Sequence, residues 1–486
     1  MSLGVNSSKT ALAFDSRPQT PDSRLMKVVR IIARLNVGGP ARHVVWLSAG
    51  LPRDEFQSLL VAGVVPPGED DMGYFATEQG IEPHIIPEMS REISPKDVVT
   101  IWKLYRLFVR ERPDIVHTHT AKAGTVGRIA GLLYRWLTLS ALWGRPRRRC
   151  RFVHTYHGHI FHSYYGRLKT RIFLVIEKFL ARTATDKIIV ISPQQRREIH
   201  QEFGVGESGQ FALIPLGMDV DVYADWAGRR NHMRDELGAG QDEILIGIVG
   251  RLTEVKNHDL FLRAAALYKQ FFGTKEKGGT RVRFVIVGNG HLREQLERSA
   301  RELGIYDDVE FLGTRNDAQN FYPALDIVAL TSLNEGTPLT LIEAMANERA
   351  CVATSVGGVI DLLGGKLSEE STQDLYELCE RGVRVPSGDA EAFCHGLRRL
   401  VGDPALRREL GARGARFVAE SYSKKRLLAD ITKLYRELAG LESGVWSLES
   451  ELSSPESQVE SGAVRSPKSA FRNHTDSRLQ TPDSRL

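Results

Sequence analysis

What limits the architecture of this chain above all is a repeated alternation of short β-branched and aliphatic runs with stretches of helical apolar spacing. KVVRIIARL, from Lys27, is followed by Asn36-Val37-Gly38-Gly39-Pro40 and a helical pattern over Ala41 to Leu51. FQSLLVAGVV from Phe56, a long helix around Asp97 to Glu111, PDIVHTHT from Pro113, RFVHTYHGH from Arg151 and DKIIVIS from Asp186 continue the series. Strands that alternate with helices in this way build a parallel sheet covered on both faces.

A second series starts after Pro215: ILIGIVGRL from Ile244, VRFVIVGNG from Val282, VEFLGT from Val309, DIVALTS from Asp326 and ACVATSVGG from Ala350, each leading into helix-compatible sequence. Two doubly wound α/β domains are expected, joined near Ile214 to Tyr223 and facing a cleft where ligands sit outside the carboxyl ends of the strands. The 486 residues suffice for both with appendages, since a domain takes ~150 residues. The reading divides the chain into a tail over 1–25, a first domain over 26–213, a second over 214–405, returning C-terminal helices over 406–440 and a second tail over 441–486. The tails share a near-identical element, DSRPQTPDSRL at Asp15–Leu25 and DSRLQTPDSRL at Asp476–Leu486, whose polar content cannot bury a core.

Charge matters here through its distribution. Lys and Arg number 65 against 60 Asp and Glu, yet Lys122 to Arg182 holds 13 basic residues with Glu177 as the single acid. Such a surface suits anionic lipid, pyrophosphate or nucleic acid. The sequence carries no recognisable nucleic-acid recognition module, so no nucleic-acid partner is expected. The longest apolar stretch, Ile129 to Gly144, contains Arg135 and is shorter than the ~20 residues of a spanning helix. The N-terminus lacks the basic-then-apolar order of a signal peptide. Cys150, Cys351, Cys379 and Cys394 show no metal-ligand spacing and make no disulfide scaffold. A cytoplasmic protein is expected.

The candidate chemistry lies at strand ends. Glu335-Gly336-Thr337-Pro338 follows DIVALTS and opens a helix carrying Glu343. A helix N-terminus attracts phosphate, and a carboxylate binds the vicinal hydroxyls of a ribose through two acceptor oxygens. Arg251 and Lys256 follow ILIGIVG, where a guanidinium fork and an ammonium neutralise a pyrophosphate without a metal. Gly288-Asn289-Gly290 is a third strand-end turn, read as a close backbone approach; it lacks the last glycine of a dinucleotide fingerprint. No paired carboxylates read as a metal site. His117, His119, His154, His157, His159 and His162 crowd two strand ends, but their spacings match no usual zinc pattern.

Taken together, Gly38-Gly39, His117-Thr-His-Thr, His154-Thr-Tyr-His157-Gly-His159, Arg251 with Lys256, and Glu335/Glu343 in EGTPLTLIEAMA resemble the family 4 retaining glycosyltransferases of the GT-B fold, over roughly Met26 to Leu438. Ile214-Pro-Leu-Gly-Met-Asp219 is similar to the family's interdomain turn, with Leu216 where Asn is commoner. The resemblance implies two Rossmann-like domains, with a C-terminal segment from Leu406 to Leu438 crossing back to the first. It implies transfer of a sugar from a nucleotide-sugar donor to a saccharide or lipid-linked saccharide, with retention and without a cofactor or metal. Arg251 and Lys256 would stabilise the leaving diphosphate. Glu343 would hold the ribose, Glu335 would contact the donor sugar, and His157 would approach it from the first domain. Gly38, Gly39, Gly336, Thr337, Pro338, Gly288 and Gly290 would line the donor site.

Two other readings share parts of this pattern: a non-hydrolysing sugar-nucleotide epimerase, and a non-catalytic anion- or nucleic-acid-binding protein. The apolar and basic segment from Trp136 to Arg149, with Arg145, Arg147, Arg148 and Arg149, reads as a contact with an anionic membrane surface and a peripheral location on it.

Overall fold

The computed structural model describes residues 25–36, 38–66, 71–90, 94–137, 150–157, 167–273, 281–367 and 375–440. The first series folds into β1 (Met26–Arg34), β2 (Phe56–Gly63), β3 (His84–Ile85), β4 (Ile115–His119), β5 (Arg151–Thr155), β6 (Lys187–Val190) and β7 (Phe211–Leu213). They form one sheet in the order β3-β2-β1-β4-β5-β6-β7, parallel throughout. The second series gives β8 (Ile244–Val249), β9 (Val282–Val287), β10 (Val309–Gly313), β11 (Ile327–Leu330), β12 (Ala350–Thr354), β13 (Glu377–Cys379) and β14 (Gly382–Val385). Their order is β10-β9-β8-β11-β12-β14-β13, with only β13 antiparallel to its neighbour.

Both orders reverse direction at one strand: β1 lies between β2 and β4, and β8 between β9 and β11. At such a switch the two crossovers leave on opposite faces, so the loops after the paired strands diverge and open a crevice. The C-terminal ends of β1, β4, β8 and β11 and the segments after them carry Gly38-Gly39, His119, Arg251 and Glu335. Strand burial supplies the framework: Val28, Val29, Ile31 and Ile32 of β1 and Val282, Phe284, Val285, Ile286 and Val287 of β9 are buried. The exception in β1 is Arg30, fully buried, whose guanidinium donates to Ser58 Oγ at 2.9 Å and Tyr435 Oη at 3.4 Å.

The C-terminal helices correct one expectation. Only the last of them crosses back. Helix Pro404–Ser421 stays on the second domain, where Leu406 and Leu410 join the core of β8, β9 and β11. Its glycines explain the fit: a Cβ on Gly411 would lie 2.1 Å from the Glu348 carbonyl oxygen, and one on Gly414 would lie 2.9 Å from Met345. Helix Lys424–Ala439 makes the crossing, burying Leu427, Ile431, Leu434 and Tyr435 against Val28, Leu47, Phe56 and Val153 of the first domain.

The turn between the two helices rests on the other interdomain passage. Met218 and Ser423 form a parallel bridge, the Met218 N–H donating to the Tyr422 carbonyl at 2.7 Å and the Lys424 N–H to the Met218 carbonyl at 2.8 Å. Leu216 takes part through its carbonyl, which accepts from the Arg426 guanidinium at 2.8 Å, so that contact does not call for an Asn side chain.

No helix among the described residues is long and apolar enough to cross a membrane. Helix Ala121–Trp136 ends where the expected membrane-contact segment begins, and Arg145, Arg147, Arg148 and Arg149 lie outside the described residues, as do the repeated tail elements apart from Leu25. All four cysteines are free and buried, and burial pushes the Cys351 and Cys394 thiols up to about 12.

Candidate active site

The second domain supplies a charged cluster. Adjacent strands β8 and β11 bring their C-terminal loops together, and Lys256 Nζ donates to Glu335 Oε1 at 2.5 Å. The same oxygen accepts from Ser332 Oγ at 2.5 Å. The Lys256 loop is pinned from beneath, because the Thr331 hydroxyl donates to the carbonyls of Lys256 at 3.0 Å and Asn257 at 2.9 Å. Arg251, earlier in the same loop after β8, is exposed and makes no ion pair among the described residues. One cation is therefore held in place and the other is free to meet a ligand.

Glycines shape this cluster, in part differently from expectation. Gly288, at φ 142°, would place a Cβ 1.9 Å from the Gly250 carbonyl oxygen, and Gly290 would place one 2.4 Å from that of Leu252. Their close approach is to the loop bearing Arg251. Gly357 and Gly358 do the same for the Glu335 loop: Cβ atoms there would fall 1.7 Å from the Glu335 carbonyl oxygen and 2.0 Å from that of Gly336. The Gly358 N–H donates to the Gly336 carbonyl at 2.8 Å. Sequence reading missed this pair, although the Gly-Gly that ends ACVATSVGG was its signal.

Helix Leu339–Ala346 begins after Pro338, and Glu343 lies on its second turn. Glu343 Oε2 accepts from Tyr322 Oη at 2.9 Å, and burial holds the carboxyl above its ordinary range. The Thr337 hydroxyl is buried without a partner at this helix entry. Across the cleft, Gly39 opens helix Gly39–Gly50, whose first turn has no acidic residue and no side-chain cap. Its N–H groups are left for a ligand. A Cβ on Gly39 would stand 3.0 Å from Leu339 Cδ1, so glycine lets the two helix entries approach. A Cβ on neighbouring Gly38 would make only ordinary contacts, 3.8 Å from Pro40 Cδ and 4.0 Å from the Asn36 carbonyl oxygen. Gly39, Arg42, His43, Leu216, Leu339 and Glu343 line one narrow cavity between the domains.

The first domain adds imidazoles. His119 ends β4 and His157 follows β5; His119 Nδ1 and His157 Nε2 lie 3.0 Å apart. His43, from helix Gly39–Gly50, packs edge-on to His157 with centroids 4.9 Å apart. His117 is committed elsewhere, bonded to Tyr435 Oη and Thr155 Oγ1 at 2.7 Å each. His154 is bonded to Thr118 Oγ1 at 2.9 Å, and His159 and His162 lie outside the described residues. Burial holds His43 and His119 well below the usual imidazole range, and His157 down to about 3.

Both nitrogens of His43, Nε2 of His119 and Nδ1 of His157 are sealed from solvent without a partner. An orphaned buried polar atom costs about 1–3 kcal/mol, so four in one place point to a ligand. Nitrogens of the three rings lie within 4.8 Å of one another, the only such potential metal-ligand group among the described residues. The surrounding field disfavours a dication, since Arg30 and Arg426 act on His43 and Arg30 acts on His119. Neutral imidazoles instead offer one donor and one acceptor each, which complements hydroxyl groups. His43 and His119 were not assigned to the site from sequence, because a lone His in a helix and a strand-end His have many structural uses.

A family model described as "Glycosyltransferase Family 4" matches residues 37–222, and one described as "Glycosyl transferases group 1" matches residues 229–417. The chain belongs to the family 4 glycosyltransferases. It is 27% identical over 358 residues to the UDP-Gal:alpha-D-GlcNAc-diphosphoundecaprenol alpha-1,3-galactosyltransferase of Escherichia coli, covering 73% of this chain and 83% of that one. It is 25% identical to the capsular polysaccharide biosynthesis glycosyltransferase CapM of Staphylococcus aureus, covering 72% and 84%.

Among solved structures, Anabaena Alr3699/HepE in complex with UDP is similar at a TM-score of 0.65 and 18% identity, covering 85% of this chain and 100% of that one. Sucrose-phosphate synthase from Thermosynechococcus elongatus is similar at a TM-score of 0.65 and 20% identity, covering 86% and 100%. These likenesses carry the GT-B fold. The family 4 chain is an enzyme that transfers a glycosyl group, and the epimerase and non-catalytic readings are set aside.

Proposed function

We propose that this glycosyltransferase takes its sugar from a nucleotide-sugar donor and adds it, with retention at the anomeric carbon, to a saccharide carried on a lipid in envelope or capsule polysaccharide assembly. The observation that carries the donor half is the Lys256–Glu335 pair beside the unpaired Arg251, at the switch point of the second sheet. Arg251 and Lys256 meet the departing diphosphate, and the N-terminus of helix Gly39–Gly50 faces it from the other domain. The cations act where negative charge develops, which makes their contribution larger in the transition state than in the ground state. They do so without a metal.

Glu343, on the helix opened by Gly336, Thr337 and Pro338, is given the ribose hydroxyls. Tyr322 holds one of its oxygens, and its raised pKa suits neutral hydroxyl partners. Glu335 keeps Lys256 in place and faces the donor sugar. His157 offers its unpartnered Nδ1 to a sugar hydroxyl, with His119 fixing its other nitrogen.

The solved relative bound to UDP supports a uridine donor, and the E. coli relative, whose acceptor is a diphosphoundecaprenol-linked sugar, supports a lipid-carried one and a working place at an anionic membrane surface. Incubation with a panel of nucleotide sugars tests the reading: release of nucleoside diphosphate from one or a few of them is expected. NMR of the product is expected to give the donor's own anomeric configuration. No release from any donor would overturn the donor assignment, and an inverted product the mechanism.

A further inference from the structure

Helices Lys96–Glu111, Ala121–Trp136 and Arg167–Ala184 lie side by side over the first sheet. Ion pairs tie them together. Lys122 Nζ donates to Asp97 Oδ2 at 2.6 Å, and the Arg128 guanidinium donates to both oxygens of Glu177 at 2.6 and 2.7 Å, with both side chains fully buried. The outermost helix then presents the wrong side to water. Ile172, Val175 and Phe179 are 53%, 67% and 58% exposed, and their spacing of three and four residues aligns them in one stripe.

Arg171 and Arg182 are exposed at the two ends of that stripe. Glu177, the helix's one acid, is turned inward to Arg128, so nothing on the helix offsets its outward positive charge. Trp102 and Trp136, on the other two helices, are also 53% and 48% exposed. An apolar stripe with cations at its ends and no outward anion complements a surface that is apolar within and negative at its boundary. The helix also starts ten residues after His157 in the chain.

We propose that the outer face of helix Arg167–Ala184 docks on an anionic lipid bilayer, with Ile172, Val175 and Phe179 entering the acyl boundary and Arg171 and Arg182 meeting lipid phosphates. This rests on the lipid-carried acceptor reading and assigns it a surface different from the Trp136–Arg149 segment. Docking there presents the cleft to a membrane-bound acceptor and leaves the second domain free to move.

Co-sedimentation of the full chain with phosphatidylcholine vesicles, and with the same vesicles containing phosphatidylglycerol, tests it. Binding is expected only to the anionic vesicles and to fall as salt rises. The Arg171→Ser/Arg182→Ser variant should lose roughly 30-fold in binding at low salt, at ~1 kcal/mol per cation. The Ile172→Ser/Val175→Ser/Phe179→Ser variant should not sediment with either vesicle. All substituted side chains are exposed, and nucleoside diphosphate release from the donor should remain at the parent level in both variants. Parent-like vesicle binding by either variant would overturn the proposal. So would a change from dimer to monomer in the apolar variant, which would make the stripe a contact between copies. Vesicle binding with no turnover on any donor would leave the docking face standing and remove the functional reading instead.

Discussion

At the scale of single residues, the site divides into groups that hold and groups that are free. Lys256 is held by Glu335 and its backbone by Thr331, while Arg251 is free. Alanine at either cation removes a charge-assisted contact worth ~1.5–3 kcal/mol and should lower kcat/KM roughly 10- to 100-fold with the fold intact. Glu343→Ala should act mainly on the donor KM, and Glu335→Gln mainly on kcat, because the former removes a binding partner and the latter frees Lys256. Steady-state kinetics separate the two. In the proposed arrangement cations carry the leaving group's charge, so chelators should leave the rate unchanged, and a strict need for added Mg²⁺ or Mn²⁺ would contradict it.

The imidazoles give a pH signature. His43, His117, His119, His154 and His157 all have folded pKa values below the unfolded value. The unfolded chain therefore binds more protons in acid, and the stability these residues confer is present above pH ~6.5 and lost as the pH falls toward their folded values. Each adds a slope of up to ~1.4 kcal/mol per pH unit in that window. Urea unfolding should show a steep loss between pH ~6.5 and ~5, and His43→Met should flatten it. Of these residues only His157 was assigned to the site from sequence. The grouping of His43 with His119 joins a helix to a strand end remote in sequence, which spacing along the chain cannot reveal.

At the scale of elements, the long parallel strands and their helices were legible because β-branched runs and helical periods are strong local signals. The two-residue β3, three-residue β7 and the β13–β14 hairpin were not, since so few residues set up no period. The glycines show a subtler limit. A glycine at a strand end reads as room for a ligand, but Gly288 and Gly290 make room for a loop, and Gly357 and Gly358 make room for another. Gly358→Ala forces a methyl group against the Gly336 carbonyl, so a loss of ~1–3 kcal/mol in stability is expected, with weaker donor binding through the displaced Glu335 loop. Gly240→Ala, where a Cβ meets nothing within 4 Å, is the control and should be neutral. Thermal unfolding with and without donor measures both effects.

At the scale of the whole molecule, two α/β domains were legible from the two strand series, but the point of return was not. Helix Pro404–Ser421 is held on the second domain by Leu406, Leu410 and Val418 in its core and by the packing of Gly411 and Gly414 on Glu348 and Met345, contacts between segments that the helical spacing alone does not reveal. The two interdomain passages meet at Met218 and Ser423, so closure of the cleft is expected to turn about that paired point. Breaking the close packing of Gly217, where a Cβ would lie 2.6 Å from Leu427, should therefore change kcat and KM together.

The returning helix also sets the order in which the protein can mature on the ribosome. Val28, Leu47, Phe56 and Val153 emerge early but wait for Leu427, Ile431, Leu434 and Tyr435 to cover them. Through most of synthesis the first domain carries an open apolar seam, while the second domain, made later, is complete sooner after its own last strand. A chain stopped at Tyr422 should give a well-folded second domain tethered to an aggregation-prone first one, and supplying residues 423–440 as a separate peptide should restore its solubility.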